Sequence, residues 1–394
     1  MKKKSLSIIL CIVMVFCLVG CRANGSTTNN VTNNITNEIT NKVVNYEDIK
    51  ITDLENAVEE TVKRVENAVI GVILKQVSTV SGNVTSEDNY GIGSGVIYKR
   101  VENYNGETLT GYTYYAITNR HVVTDEDGKL KGESKVYVYL GSYDLELEAK
   151  VIAYDDKDDL ACITFNSNIF IQPVEFADSD QIKKGSFVIA VGNPEGFDYY
   201  GSVTFGVVSG PLRYISADTD GDGTKDFYGK YIQHDASINP GNSGGGLFTL
   251  DGKLIGINTL KISSNNVDNM GFAIPSNEVK LVVTEYLEKN IKIVRPRLGI
   301  SGTTVRDLTP ATISQLGLKS IPTSIYEAGE AAYGIYVRDV TTGGTMSSTN
   351  ISSDDILLTF DGVKLKNMST LSAMLNTLTD YKVGSSVKIT LGFL

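Results

Sequence analysis

At 394 residues and 41% hydrophobic composition, the chain has room for about two to three domains of ordinary size, each with its own core. A formal net charge of −10 excludes a general nucleic-acid binder, which needs a basic face to displace counterions. Cys11, Cys17 and Cys21 all belong to the first stretch of the chain, so a disulfide-stapled scaffold is excluded too. The remaining Cys162 reads as a small buried hydrophobe in the run Ala161–Phe165.

The N-terminus carries Lys2, Lys3 and Lys4, an apolar run from Leu6 to Val19, and then Gly20-Cys21. That is the grammar of a secretory signal. Leu18-Val19-Gly20-Cys21 resembles a bacterial lipobox, which implies a signal peptide over 1–20 and lipidation of Cys21. The product would be an exported lipoprotein tethered to the extracytoplasmic face of the cell membrane; an uncleaved anchor is the other reading. Residues 21–45, dominated by Asn and Thr, bury too little apolar surface to fold and read as a flexible tether. Tyr46–Ala68 reads as a short helix, with Leu54, Val58, Val62 and Val65 on one face.

From Val69 to Pro275 short β-rich runs alternate with Gly, Asn and Asp: Val69–Val77, Gly95–Tyr98, Tyr114–Thr118, Val136–Leu140, Ala161–Phe165, Phe187–Val191, Val203–Val208 and Leu254–Thr259. Such a pattern predicts an all-β barrel or sandwich. A helix follows, with Ser276 as its expected cap and Val279, Val282, Val283, Tyr286 and Leu287 as its apolar face. One domain thus spans 46–290. After a linker at Ile291–Arg295, residues 296–394 form a small α+β module, with strands at Gly334–Val340, Ile356–Phe360 and Ser386–Thr390. Its helix has Leu371, Met374, Leu375 and Leu378 on the apolar face.

The strongest chemical signal is Asn239-Pro240-Gly241-Asn242-Ser243-Gly244-Gly245-Gly246. A nucleophilic serine needs a tight turn that exposes its Oγ and aims backbone N–H groups at an oxyanion. The chain has two histidines. His121 closes a β-run and can present its ring at a barrel rim; His234, nine residues before Ser243, reads as structural or surface. Among the carboxylates of Asp155-Asp156-Lys157-Asp158-Asp159, most read as a solvated turn. Asp159 directly precedes an apolar strand and can point inward, giving the chain order His, Asp, Ser.

Gly91 to Ile97, Thr118 to Val123, Asp159-Leu160-Ala161, Gly192-Asn193-Pro194, Gly206 to Ser209 and Gln233 to Gly245 together resemble the HtrA (DegP-type) proteases, in matching order. The resemblance covers about residues 50–290 and extends more weakly beyond them. It implies a chymotrypsin/trypsin-type double β-barrel followed by a PDZ domain, peptide hydrolysis without a cofactor, and frequent assembly into trimers. Carried over by position, the triad is His121, Asp159 and Ser243, with the oxyanion hole on the N–H groups of Gly241 and Ser243. The pocket for the residue before the cleaved bond is expected to be lined by Ser237, Ile238, Ile257, Asn258 and Thr259, favouring aliphatic side chains. Arg120, His234 and Gly246 depart from the family pattern without removing a catalytic atom.

The tail from Arg297 resembles a bacterial PDZ domain, with Arg297-Leu298-Gly299-Ile300 as the loop that captures a peptide's C-terminal carboxylate. It stops at Leu394, short of a last strand expected of that fold. Asp218, Asp220, Asp222 and Asp226 alternate around a glycine turn, as in a structural calcium loop; a plain acidic hairpin is the alternative. The leading expectation is ATP-independent cleavage of unfolded or damaged polypeptides by a serine endopeptidase. A membrane-tethered, chaperone-like peptide binder and a dedicated processing protease are the alternatives. Phe197–Ser202 and Lys261–Asn269 are the segments expected to move on activation.

Overall fold

The computed structural model describes residues 50–80, 83–124, 134–194, 197–217, 227–259, 269–315, 317 and 333–392. The signal, Cys21, the tether, the acidic loop with its four aspartates and most of Lys261–Asn269 lie outside them.

Helix α1 (Ile51–Val65) buries Thr61 and Val65, with Val58 and Val62 packed against the core, so the expected stripe is the one that docks. Its helical start is Ile51, and a 3₁₀ turn at Glu66–Ala68 leads into the first strand. Thr61 donates its hydroxyl to the carbonyl of Leu250, and Arg64 Nη1 donates to that of Asp251, at 2.7 Å.

Twelve strands close into two antiparallel six-stranded barrels. The first is built from β1 (Val69–Val80), β2 (Asn83–Asn105), β3 (Thr108–Asn119), β4 (Ser134–Leu140), β5 (Leu145–Asp155) and β6 (Leu160–Ser167), in the order β1-β2-β3-β6-β5-β4. The second takes β7 (Phe187–Gly192), β8 (Ser202–Ala217), β9 (Phe227–His234), β10 (Gly246–Phe248), β11 (Leu254–Thr259) and β12 (Gly271–Pro275), in the order β10-β11-β12-β9-β8-β7. Closure removes the exposed edges that would otherwise template aggregation. Period-two burial sets the interior of the first barrel: Val136, Val138 and Leu140 of β4 are buried while their neighbours are half exposed. Cys162 lies fully buried beside the Tyr98 hydroxyl, and burial pushes its thiol up to about 12, so it is packing and not a reactive group.

After β12, α2 (Arg120–Val123) having been passed between β3 and β4, helix α3 (Ser276–Val282) continues through a π turn at Val283–Leu287. Ser276 does not cap it. Its hydroxyl donates to the carbonyl of Ala177 at 2.7 Å, and Pro275 occupies the cap position.

The C-terminal module is a sheet ordered β13 (Ile300–Thr304), β14 (Ile335–Val340), β15 (Ile356–Phe360) and β16 (Val363–Lys364), with β17 (Ile389–Gly392) also on β15. A short helix, α4 (Pro310–Gln315), follows β13. Helix α5 (Met368–Asn376) is capped by the Asn367 side chain, which accepts from Thr370 N–H at 2.8 Å. Leu371 and Met374 bury against Leu298, Ile335 and Phe360.

Candidate active site

β3 ends in extended backbone at Asn119, and the chain then coils into α2, which lifts His121 to the barrel rim with its side chain 24% exposed. Asp159 closes the turn between β5 and β6 at φ +54, a left-handed conformation that Asp tolerates better than most residues. The two corners are tied by backbone: Arg120 N–H and the Asn119 side-chain amide both donate to the Asp159 carbonyl, at 3.0 and 2.9 Å. The buried Asp159 carboxylate then meets His121 twice. Oδ1 accepts from the His121 backbone N–H at 3.0 Å, and Oδ2 stands 2.7 Å from Nδ1. An acceptor there holds the proton on Nδ1 and leaves Nε2 as a base.

Ser243 comes from the second barrel, on the loop before β10. Gly241 and Gly244 take φ of +97 and +84. At Gly244 a Cβ would stand 2.1 Å from the Ser94 carbonyl oxygen, so glycine is compulsory. Ser94 of β2 grips this loop with both its groups: its N–H donates to the Ser243 carbonyl at 2.8 Å, and its hydroxyl to the Gly241 carbonyl at 2.7 Å. Its own carbonyl accepts from Thr118 Oγ1 at 2.7 Å, one residue before the corner that carries His121. Gly245 N–H donates to the Asn242 carbonyl at 2.9 Å, which fixes the peptide plane ahead of Ser243. Asn193 completes the brace, donating its N–H to Ser94 Oγ at 2.9 Å and its amide to the Ile70 carbonyl at 3.0 Å. The histidine, the carboxylate and the serine loop therefore converge where the barrels face each other.

The run Asp155–Asp159 is not the solvated turn expected. Asp155 and Asp158 are buried, and Arg295 of the linker reaches both: Nη1 and Nη2 contact the Asp155 carboxylate at 2.9 and 2.6 Å, and Nη2 contacts Asp158 at 2.6 Å. Burial works against the charge on Arg295, but the flanking aspartates outweigh it and hold its proton more tightly than usual. Only Asp156 and Lys157 of the run are exposed, and Asp156 pairs with the buried Arg120 at 3.1 Å. The turn that aims Asp159 is thus clamped by a residue from the start of the C-terminal part.

The five residues expected around the specificity pocket separate. Ser237 is exposed and Ile238 packs on the interior of the second barrel. Ile257 packs in the main core with Phe248 and Ile274. Asn258 donates its amide to the Gly246 carbonyl at 3.1 Å, and Thr259 donates its hydroxyl to Asp159 Oδ2 at 3.3 Å. Thr259 is therefore a partner of the acid. Ser94, Asn193 and Thr118 all lie in the motifs that carry the family resemblance; the bonds of Ser94 and Asn193 cross between the barrels and that of Thr118 joins two strands of the first, so none leaves a local signature. His234 is fully buried on β9 against Gly271, and neither ring nitrogen makes a hydrogen bond among the described residues. Burial holds it neutral, with its pKa lowered to about 4. Among the described residues no cluster of metal-ligating side chains occurs.

Two facing barrels with a glycine-framed serine loop and a His–Asp pair at their junction define a trypsin-like peptidase. The trypsin-like peptidase domain family matches residues 93–257. Serine protease Do-like HtrA of Bacillus subtilis (strain 168) is 34% identical over 346 residues, spanning 84% of this chain and 69% of that protein. Its namesake from Lactobacillus helveticus is 34% identical over 307 residues, spanning 77% and 66%. Among solved structures, HtrA-type protease AlgW with decapeptide aligns at a TM-score of 0.54 and 27% identity, over 80% of this chain and 89% of that one. The chain belongs to the HtrA family of serine proteases and is a serine endopeptidase.

Proposed function

We propose that Ser243 is the nucleophile, His121 its general base and Asp159 the orienting carboxylate. The observation that carries this reading is the 2.7 Å contact between His121 Nδ1 and Asp159 Oδ2 beside a serine loop braced by Ser94. His121 Nε2 takes the Ser243 hydroxyl proton as Oγ attacks the peptide carbonyl. The N–H groups of Gly241 and Ser243 stabilise the oxyanion, and the imidazolium returns its proton to the leaving amine. Water, deprotonated by the same base, then hydrolyses the acyl-enzyme. Nothing in this sequence of steps calls for a cofactor or ATP; calcium at Asp218, Asp220, Asp222 and Asp226 would be structural.

The substrate class is unfolded or damaged polypeptide, met outside the cytoplasm by an enzyme tethered through lipidated Cys21 and assembled as a trimer. The C-terminal module acts as a PDZ domain that captures peptide C-termini at Arg297–Ile300. The test is degradation of casein by the chain lacking its first 20 residues, as wild type and as Ser243→Ala. Cleavage by the wild type alone is expected, with the variant slower by about four orders of magnitude or more. Equal, residual activity of both proteins, with suppression of aggregation, would overturn the triad reading in favour of a chaperone-like binder. Cleavage confined to one sequence would point to a dedicated processing enzyme.

A further inference from the structure

β13 pairs with β14 on one side and stands at the edge of its sheet. Between this edge and α5 runs a groove of about 450 Å³. Its walls are apolar, from Leu298, Ile300, Met368, Leu371 and Leu375. Its two ends are distinguishable. Met368 N–H donates to Thr304 Oγ1 at 3.1 Å, so the start of α5 lies beside the end of β13. The end of α5 therefore lies towards the Arg297–Ile300 turn, where Gly299 takes φ +73 and its carbonyl is held by Thr341 N–H at 2.8 Å.

That closed end is not made by the module alone. Asn376 at the end of α5 accepts from Arg295 Nε at 2.9 Å and donates to the Tyr228 carbonyl at 3.3 Å, seating this end against the second barrel. Lys157, from the turn that carries Asp159, and Tyr228 both line the groove there with Arg297. Lys157 and Arg297 are exposed, and neither side chain has an ion-pair or hydrogen-bond partner among the described residues. In a chain of net charge −10 the other lining residues of this groove are uncharged, so these two cations set its sign.

We propose that Lys157, a residue of the protease domain, completes the carboxylate site of the C-terminal module. The ligand is the free C-terminus of another polypeptide, ending in an aliphatic residue. It lies antiparallel to β13 with its last side chain among Ile300, Leu371 and Leu375, and its α-carboxylate faces Lys157 and Arg297. This rests on the reading of the module as a captor of peptide C-termini and adds what that reading lacks: a binding group contributed across the domain boundary, two positions from Asp159.

The test uses the full chain carrying Ser243→Ala, so that the probe is not cut. The probe is a fluorescein-labelled decapeptide ending in Ala-Val-Leu, with a free carboxylate or as the amide. Lys157→Met, which keeps most of the aliphatic stem, is expected to weaken the free-acid peptide by about fivefold to twentyfold and to leave the amide unchanged; Lys157→Arg restores binding. Loss of the same factor for acid and amide, or no loss for either, overturns the assignment of Lys157. In both of those cases tight, Leu371→Asp-sensitive binding of the free acid leaves the broader reading standing. Failure of both peptides to bind the Lys157-intact chain overturns that reading, and the proposal with it.

Discussion

Thr259 and His121 share one oxygen of Asp159: the hydroxyl lies 3.3 Å and the imidazole 2.7 Å from Oδ2. The threonine is contributed by the second barrel and the other two residues by the first, so this atom joins the halves of the enzyme. A hydrogen bond to a charged, buried acceptor is worth about 1.5–3 kcal/mol. Thr259→Val is expected to lower kcat/KM by about tenfold to a hundredfold with KM little changed, while Thr259→Ser retains most activity. Steady-state kinetics on a fluorogenic peptide checks both.

Glycine at 244 and at 106 should respond very differently to the same change. Both have positive φ, +84 and +63, but a Cβ at Gly244 meets the Ser94 carbonyl at 2.1 Å whereas at Gly106 nothing lies within 4 Å. Gly106→Ala is expected to cost about 1–2 kcal/mol from backbone strain alone. Gly244→Ala displaces the Ser243 loop and should abolish peptidase activity. Urea denaturation and active-site titration measure the two effects.

Arg295→Ala leaves Asp155 and Asp158 buried without their counter-charge. Breaking a buried pair this way costs about 3–5 kcal/mol. A drop in Tm of several degrees and a loss of activity are expected together, because the turn that relaxes is the one that presents Asp159. Adding Asp158→Asn should recover part of the stability; an Arg295→Ala protein that melts with the wild type would contradict the clamp.

His234 gives the protein a pH dependence of defined sign. Its folded pKa of about 4 lies below the 6.5 ordinary for a histidine in an unfolded chain. The stability it contributes is complete above the unfolded value and is lost as pH falls from 6.5 towards 4, because the unfolded chain gains a proton that the folded one refuses. That loss is on the order of 3 kcal/mol. Thermal melts between pH 7 and pH 4.5 should show a shallower decline for His234→Asn than for the wild type.

The site was legible where its residues announce themselves locally. Gly241 and Gly244 flank Ser243 because the turn demands positive φ, and the apolar strand after Asp159 marks that carboxylate as inward-facing. What could not be read was everything supplied from afar. Arg295 lies 140 residues from Asp155, and Ser94 lies 147 residues from the Gly241 carbonyl that it binds. Asp155 and Asp158 consequently looked like solvated charges, since only their distant partner makes burial affordable. The strand pattern locates the barrels but not every stave: β5, whose Leu145, Leu147, Ala149 and Val151 alternate with Glu146, Glu148 and Lys150, is absent from the expected runs, and so are the short β10 and β12. Of the helix expected over Tyr46–Ala68, the described residues show Ile51–Val65, and Tyr46 lies outside them.

Glu278 of α3 accepts the backbone N–H groups of Leu378 and Thr379 at 2.7 and 2.9 Å, and Lys230 of β9 pairs with Asp380 at 2.8 Å. Together with the Arg295 clamp, these contacts make the C-terminal module costly to remove. Truncation at the linker would leave Glu278 without its amide donors and set two aspartates in mutual repulsion next to Asp159. A fragment ending before Arg295 is thus a poor stand-in for the protease domain, and any shortened or chimaeric version of the enzyme needs a replacement cation at that position.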